Sequence, residues 1–181
     1  MVGREIELKF LVSADDLAAV LAAAPPGEDE IRELTSIYYD TADGALAAAG
    51  LSLRVRDDGR RKVQTMKRGK GTSREECEAE VVALDTSWPD LAGLALTPVS
   101  EVRVTRRQRL VRYAGAEIEI AADVGEVSAG ERSETFSELE LELKSGPEAA
   151  LNELAAELAR SVSMTPSAVS KSDRGRALRG I

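Results

Sequence analysis

Three stretches of this chain place charged residues at every second position. Arg4-Glu5-Ile6-Glu7-Leu8-Lys9-Phe10 alternates strictly, Leu53-Arg54-Val55-Arg56 sets two arginines one residue apart, and Glu138-Leu139-Glu140-Leu141-Glu142-Leu143-Lys144 repeats acids in the same way. In a strand, successive side chains point to opposite faces, so Glu5, Glu7 and Lys9 share one face while Ile6, Leu8 and Phe10 share the other. Clustered carboxylates can hold a hard divalent cation through oxygen, and arginine and lysine can grip phosphate oxygens through charge-assisted hydrogen bonds. For any one strand alone, a solvated charged face is the simpler reading.

The elements that must position these residues can be followed along the chain. Ser13 is the expected N-cap of a helix that Pro25-Pro26-Gly27 stops, with Leu17, Val20, Leu21 and Ala24 as its apolar stripe. Residues 31–39 read as a strand, followed by a short alanine-rich helical turn closed by Gly50. Asp57-Asp58-Gly59 signals a hairpin joining the arginine strand to Lys62–Lys67. The next strand places Arg74, Glu76, Glu78 and Glu80 opposite Cys77, Ala79 and Val81. Residues 85–103 look irregular, with Trp88-Pro89 and Thr97-Pro98 as loop marks, and Arg106 opens a strand that runs to Tyr113. Glu117, Glu119 and Asp123 fall in register on a further alternating strand. A helix is expected from Gly146-Pro147 to about Arg160, and a helical tail would set Lys171 and Arg174 one turn apart.

Strands of this kind can form an open sheet with its polar side in water, or close into a barrel. A barrel with a charged interior must hold water, ions or a ligand. The candidate inward set mixes acids (Glu5, Glu7, Glu76, Asp123, Glu140, Glu142) with bases (Lys9, Arg54, Arg56, Lys67, Arg74, Arg106). A cavity that grips a polyanion through a metal needs both kinds. Carboxylates crowded without a cation raise one another's pKa, so metal binding should weaken at acidic pH.

Composition narrows the chemistry. At 181 residues the chain is expected to be one domain, 1–181, with enough core to fold without clips. It is 43% hydrophobic but only 3% aromatic, and its formal net charge is −8, which disfavours base stacking and non-specific attraction to nucleic acid or anionic membrane. With no histidine and one cysteine, Cys77, an imidazole–thiolate zinc site and histidine triads are excluded, and Cys77 reads as a small buried residue. Mg²⁺, Mn²⁺ or Ca²⁺ on oxygen ligands is the metal chemistry left open. No apolar run approaches the roughly 20 residues of a membrane span and no signal segment opens the chain, so a cytoplasmic protein is expected.

Taken in order, the motifs resemble those of the CYTH superfamily, the triphosphate tunnel metalloenzymes, and more closely its bacterial inorganic triphosphatases. Glu5-x-Glu7-x-Lys9 matches the signature ExExK, and Ile37-Tyr38-Tyr39-Asp40-Thr41, Arg54-x-Arg56, Thr65-Met66-Lys67, Arg74-x-Glu76, Arg106, Glu117 through Asp123, Glu138 through Lys144, and Ser170-Lys171 with Arg174-Gly175 follow. The resemblance implies an α+β fold built on an eight-stranded antiparallel β-barrel with flanking helices, and metal-dependent hydrolysis of inorganic or another linear triphosphate. It implies Glu5 and Glu7 as catalytic, and Glu5, Glu7, Asp123, Glu140 and Glu142 as ligands of Mg²⁺ or Mn²⁺, with Glu138 on the same face. Lys9, Arg54, Arg56, Lys67, Arg106, Lys171 and Arg174 would bind phosphates; Arg74 would pair with Glu76 and could add a phosphate contact. Homodimers occur among relatives. Many relatives also continue into a histidine-containing helical domain, so a chain ending at Ile181 without histidine is either a stand-alone form or a fragment. Arg109 stands where relatives often carry an aromatic residue.

Overall fold

The computed structural model describes residues 2–69 and 71–180. Its core is a closed antiparallel barrel of eight strands: β1 (Val2–Leu11), β2 (Asp29–Asp40), β3 (Leu51–Asp57), β4 (Lys62–Arg68), β5 (Ser73–Val81), β6 (Thr97–Tyr113), β7 (Ala116–Ala129) and β8 (Arg132–Ser145). Around the barrel the order is β5-β4-β3-β2-β6-β7-β8-β1, and β1 closes it on β5. The opening strand is divided along its length. Its first half pairs with β5, Glu5 opposite Arg74, and its second half pairs with β8, Glu7 opposite Glu142 and Lys9 opposite Glu140. A two-residue strand, β9 (Thr165–Pro166), takes the edge of β1 at Phe10 and Leu11.

Three helices pack outside. Helix α1 (Ala14–Ala23) is capped by the Ser13 hydroxyl, which accepts from the Asp16 amide at 3.1 Å, and buries Leu17, Val20 and Leu21. Helix α3 (Ala149–Leu158) buries Leu151, Leu154 and Leu158. Together they cover Ile118, Ile120, Leu139 and Leu141, with Ile6, Leu8 and Phe10 against the same cluster. The apolar side of the opening strand therefore faces these outer helices. The short α2 (Ala45–Ala48) and the turn at Pro89–Leu91 make a smaller cluster over Leu51, Leu53 and Met66.

The fourth helix, α4 (Lys171–Arg179), is different because it enters the barrel. Leu178 packs with Leu34, Tyr38, Val102, Val104, Val127 and Phe136, residues that point inward in the paired registers. One end of the interior is thus apolar and plugged, while the other stays charged. At Gly175 the helix lies so close to β6 that a Cβ would meet Ser100 Cβ at 2.7 Å.

Two sequence expectations change. Strand β6 begins at Thr97, not at Arg106, because Pro98 sits opposite Tyr39 at a register shift where a missing N–H is tolerated. Cys77 is half-buried on the outer face of β5, not fully buried. Arg109, the departure from the family pattern, is structural. Its guanidinium donates to the carbonyls of Leu21 at 3.0 Å and Pro25 at 3.2 Å at the end of α1, and to Asp29 at 2.6 Å. A cation there satisfies carbonyls that the helix leaves open.

Gly175→Val should lower stability by about 1–3 kcal/mol through overpacking against Ser100, read as a lower urea midpoint; an unchanged midpoint would mean that α4 does not sit tightly in the barrel.

Candidate active site

The charged half of the interior encloses a cavity of about 320 Å³. Glu5, Glu7, Lys9, Arg54, Arg56, Lys67, Arg74, Arg106, Glu140, Glu142 and Lys171, eleven of the residues named from sequence, line it together. Alternation explains the convergence, since every strand offers each second residue to the inside and the registers keep these in phase.

Strands β1 and β8 supply an acidic wall. Burial and the neighbouring Glu140 push the Glu7 carboxyl above its ordinary value, despite Lys67, Lys9 and a direct contact from Arg74 to its Oε1. Burial also raises Glu142, with Glu119 adding to the effect and Lys144, at 2.8 Å, opposing it. Glu5 goes the other way: burial is outweighed by Lys67 and Arg74, which both contact it, so it is held ionised.

Strands β2, β3 and β6 form the opposite wall, where the arginines divide: burial opposes the charge of Arg54 and Arg106, but Tyr38 and Glu76 raise the first and Asp123 and Glu140 raise the second. Burial, then the guanidiniums of Arg54 and Arg106, push the pKa of Arg56 down to about 9. The buried Tyr38 phenol is lowered against burial by Arg54 and Arg56. The Nε of Arg54 is buried without a hydrogen-bond partner, while that of Arg56 donates to Ser36 at 3.1 Å. A buried donor without an acceptor is costly; an anion would remove that penalty.

Beneath the cavity, Asp123, Glu138 and Glu140 bring carboxylate oxygens within 4.8 Å of one another. Four cations serve this trio, the most distant being Arg174, 3.9 Å from Glu138. Lys171 Nζ lies 2.8 Å from Asp123 and 3.0 Å from Glu140 and contacts Glu138; Lys9 reaches Glu140 at 3.0 Å; Arg106 forks onto Asp123 with two 2.7 Å bonds and onto Glu140 at 2.5 Å. Burial alone would raise Asp123 and Glu140, but Lys171 and the other bases hold both below the ordinary range, Glu140 well below it. Asp123 and Glu138 are thus braced by bases, while Glu140 also lines the cavity.

Two residues named from sequence do not reach the cavity. Asp123 is fully buried behind Arg106 and Lys171. Arg174 turns away along α4 to Glu134 at 2.5 Å, stacked over Phe136. Arg74 and Glu76 do not pair with each other: Arg74 contacts Glu5 and Glu7, and Glu76 pairs with Lys67 at 3.3 Å. Among lining residues that were not singled out, Arg32, Gln108, Glu119 and Lys144 stand at the mouth. The signal for Lys144 was present, as it continues the phase of Glu138, Glu140 and Glu142.

Fold and interior define a charged β-barrel tunnel. The CYTH domain model matches residues 3–175, and the chain belongs to that family. An inorganic triphosphatase of Haemophilus influenzae is 31% identical over 161 residues, which cover 79% of this chain and 46% of that protein, so the chain spans less than half the length of this relative. Among solved structures, the Hippeastrum protein HpAC1, for which a dominant triphosphatase activity is described, superposes with a TM-score of 0.72 at 20% identity over 98% of this chain and 96% of its own. A Bacillus halodurans protein provisionally named an adenylate cyclase gives 0.68 at 15% identity over 93% and 95%. At these identities the two structures support the fold. No helix among the described residues is long and apolar enough to cross a membrane.

Lys171→Met should destabilise the protein by about 3–5 kcal/mol at neutral pH, because three buried carboxylates lose their shared partner. Asp123 and Glu140 have depressed pKa values, so their stabilising contribution is present above the ordinary values of 3.8 and 4.5 and is lost as pH falls. The deficit of the variant should therefore shrink as the pH drops below about 4. Thermal melts across pH would show this; a deficit independent of pH would contradict it.

Proposed function

We infer that the chain hydrolyses inorganic triphosphate to pyrophosphate and phosphate inside the tunnel, with a divalent metal. The observation that carries this reading is the make-up of the two walls: burial disfavours the charged forms of Glu7 and Glu142 on the acidic wall, and on the arginine wall facing it the Nε of Arg54 is buried without an acceptor. A divalent cation and a polyanion bound together would relieve both. The family membership and the Haemophilus relative's name agree with it.

The acidic wall fits the metal. Its donors are carboxylate oxygens suited to a hard cation, and burial raises Glu7 and Glu142 even with Arg74 and Lys144 beside them. Glu5, Glu7, Glu140 and Glu142 would hold Mg²⁺ or Mn²⁺, which supplies charge neutralisation at the phosphate oxygens. Arg54, Arg56, Lys9, Lys67, Arg106 and Lys171 bind and orient the phosphates and balance the charge that develops as the bridging P–O bond breaks. A water attacks the terminal phosphorus and gives its proton to Glu7, through the oxygen that Arg74 does not engage. The raised pKa of Glu7 suits a base better than the depressed one of Glu5. Pyrophosphate leaves with the electron pair of the broken P–O bond.

Phosphate release from triphosphate should require Mg²⁺ or Mn²⁺ and fall about 100-fold or more in Glu7→Gln, as for loss of a general base, with triphosphate binding retained. Normal turnover by that variant would remove Glu7 from the mechanism.

One observation favours a second reading, an organic triphosphate. After Ile6 the opening strand leaves β5, and the gap opens onto a cavity of about 1050 Å³ that shares Glu7, Lys9, Lys67 and Arg74 with the tunnel. Its far wall is apolar and small-sided, with Leu8, Phe10, Ala155, Ala156 and Met164. That is room for a flat group attached to the phosphates. Ala156→Trp, which fills this cavity, should depress turnover of ATP or thiamine triphosphate and spare inorganic triphosphate; equal effects on all substrates would leave the side cavity without a role in selection.

A further inference from the structure

Arg32 belongs to no motif in the sequence, yet it stands at the tunnel mouth in a position that ordinary strand pairing disfavours. On β2 it lies directly opposite Arg106 of β6, so two guanidiniums face each other across the ladder. Like charges opposite one another destabilise a sheet unless something of opposite sign lies between them. Arg32 is held from outside, by Glu30 at 2.7 Å and Asp58 at 3.8 Å, while its Nε is buried with no hydrogen-bond partner.

Past Arg54 and Arg56 the tunnel continues into a smaller cavity of about 150 Å³, lined by Arg32, Arg54, Arg56 and Arg106 together with the carboxylates of Asp58 and Glu78. Both carboxylates are already engaged. Asp58 accepts from the amides of Arg60 and Arg61, each at 2.9 Å, and Glu78 accepts from the Thr65 hydroxyl at 2.8 Å. Five arginines therefore line a small space, Arg61 among them largely exposed, and the Nε donors of Arg32 and Arg54 both lack an acceptor. A planar guanidinium with a free edge matches a phosphate group better than any neutral ligand.

We propose that Arg32 binds the outermost phosphate of the bound chain, the one farthest from the acidic wall, and so measures chain length: triphosphate reaches it and pyrophosphate does not. This rests on the reading of the tunnel as a triphosphate site. It adds a specificity-determining residue at the mouth, on a strand whose charged residue the sequence pattern did not single out.

The test is isothermal titration of the non-hydrolysable imido analogues of triphosphate and of pyrophosphate, with Mn²⁺ present, into the unsubstituted chain, Arg32→Gln and Arg32→Lys. Removing a charge-assisted contact should weaken triphosphate binding by roughly ten- to a hundredfold. Pyrophosphate binding should change little, so the ratio of the two affinities collapses in Arg32→Gln. Arg32→Lys, which keeps the charge and loses the fork, should fall between the two. Melting temperatures of all three proteins should agree, because Arg32 is one-third exposed and its loss leaves no buried acid unpaired. Equal losses for both ligands, or no loss for triphosphate, would overturn the proposal while the triphosphate reading stands. No triphosphate binding by the unsubstituted chain would overturn both.

Discussion

The ammonium of Lys171, set among Asp123, Glu138 and Glu140, is the contact on which the interior depends. It fastens α4 inside the barrel, and α4 in turn carries the apolar residue Leu178 into the closed end. A charged interior is tolerable only where each buried charge is paired or hydrated. Three carboxylates matched by Lys171, Lys9 and Arg106 meet that condition at the base of the cavity, without a metal. Asp123 and Glu138 with their bases therefore form a foundation, and Glu140, which also lines the cavity, joins it to the space above.

Above that foundation the charges are separated by wall. Acids from β1 and β8 face arginines from β2, β3 and β6, and the bases nearest the acids, Lys67 and Arg74, are tied to Glu5 and Glu7. Burial pushes Glu7 and Glu142 toward the neutral form on one wall and Arg56 on the other, while Glu5, Arg54 and Arg106 are held charged by their partners. Such perturbed groups mark functional sites more often than structural ones. A single ligand of one sign would relieve one wall and leave the other. The pairing of a divalent cation with a polyphosphate relieves both, which is why the tunnel is read as a site for a metal-bound triphosphate.

Much of this was legible in the sequence because the barrel makes alternation meaningful. Glu5-x-Glu7-x-Lys9, Arg54-x-Arg56 and Glu140-x-Glu142 line one cavity, and Asp57-Asp58-Gly59 turns where its residues require. The failure at β6 has a clear cause. In its first half the inward residues are Val102 and Val104, under the plug, and the charges Glu101 and Arg103 point out; from Arg106 onward the inward residue is charged. A rule that equates charge with the interior holds only for the open half of the barrel. Arg174 was misjudged for a related reason, since helical spacing puts it one turn from Lys171 but the plug turns that face toward Glu134. Arg32 needed the register, because it does not stand out until β2 and β6 are laid side by side.

The most direct test of the two-wall account is a crystal structure of the chain with Mn²⁺ and a non-hydrolysable imido analogue of triphosphate, with the metal located by its anomalous signal. The account predicts manganese on the carboxylates of the β1–β8 wall, among Glu5, Glu7, Glu140 and Glu142, and phosphates on Arg54 and Arg56, with Lys171 still seated between Asp123 and Glu138. Manganese displacing Lys171 from that trio, or the analogue bound outside the barrel, would contradict it.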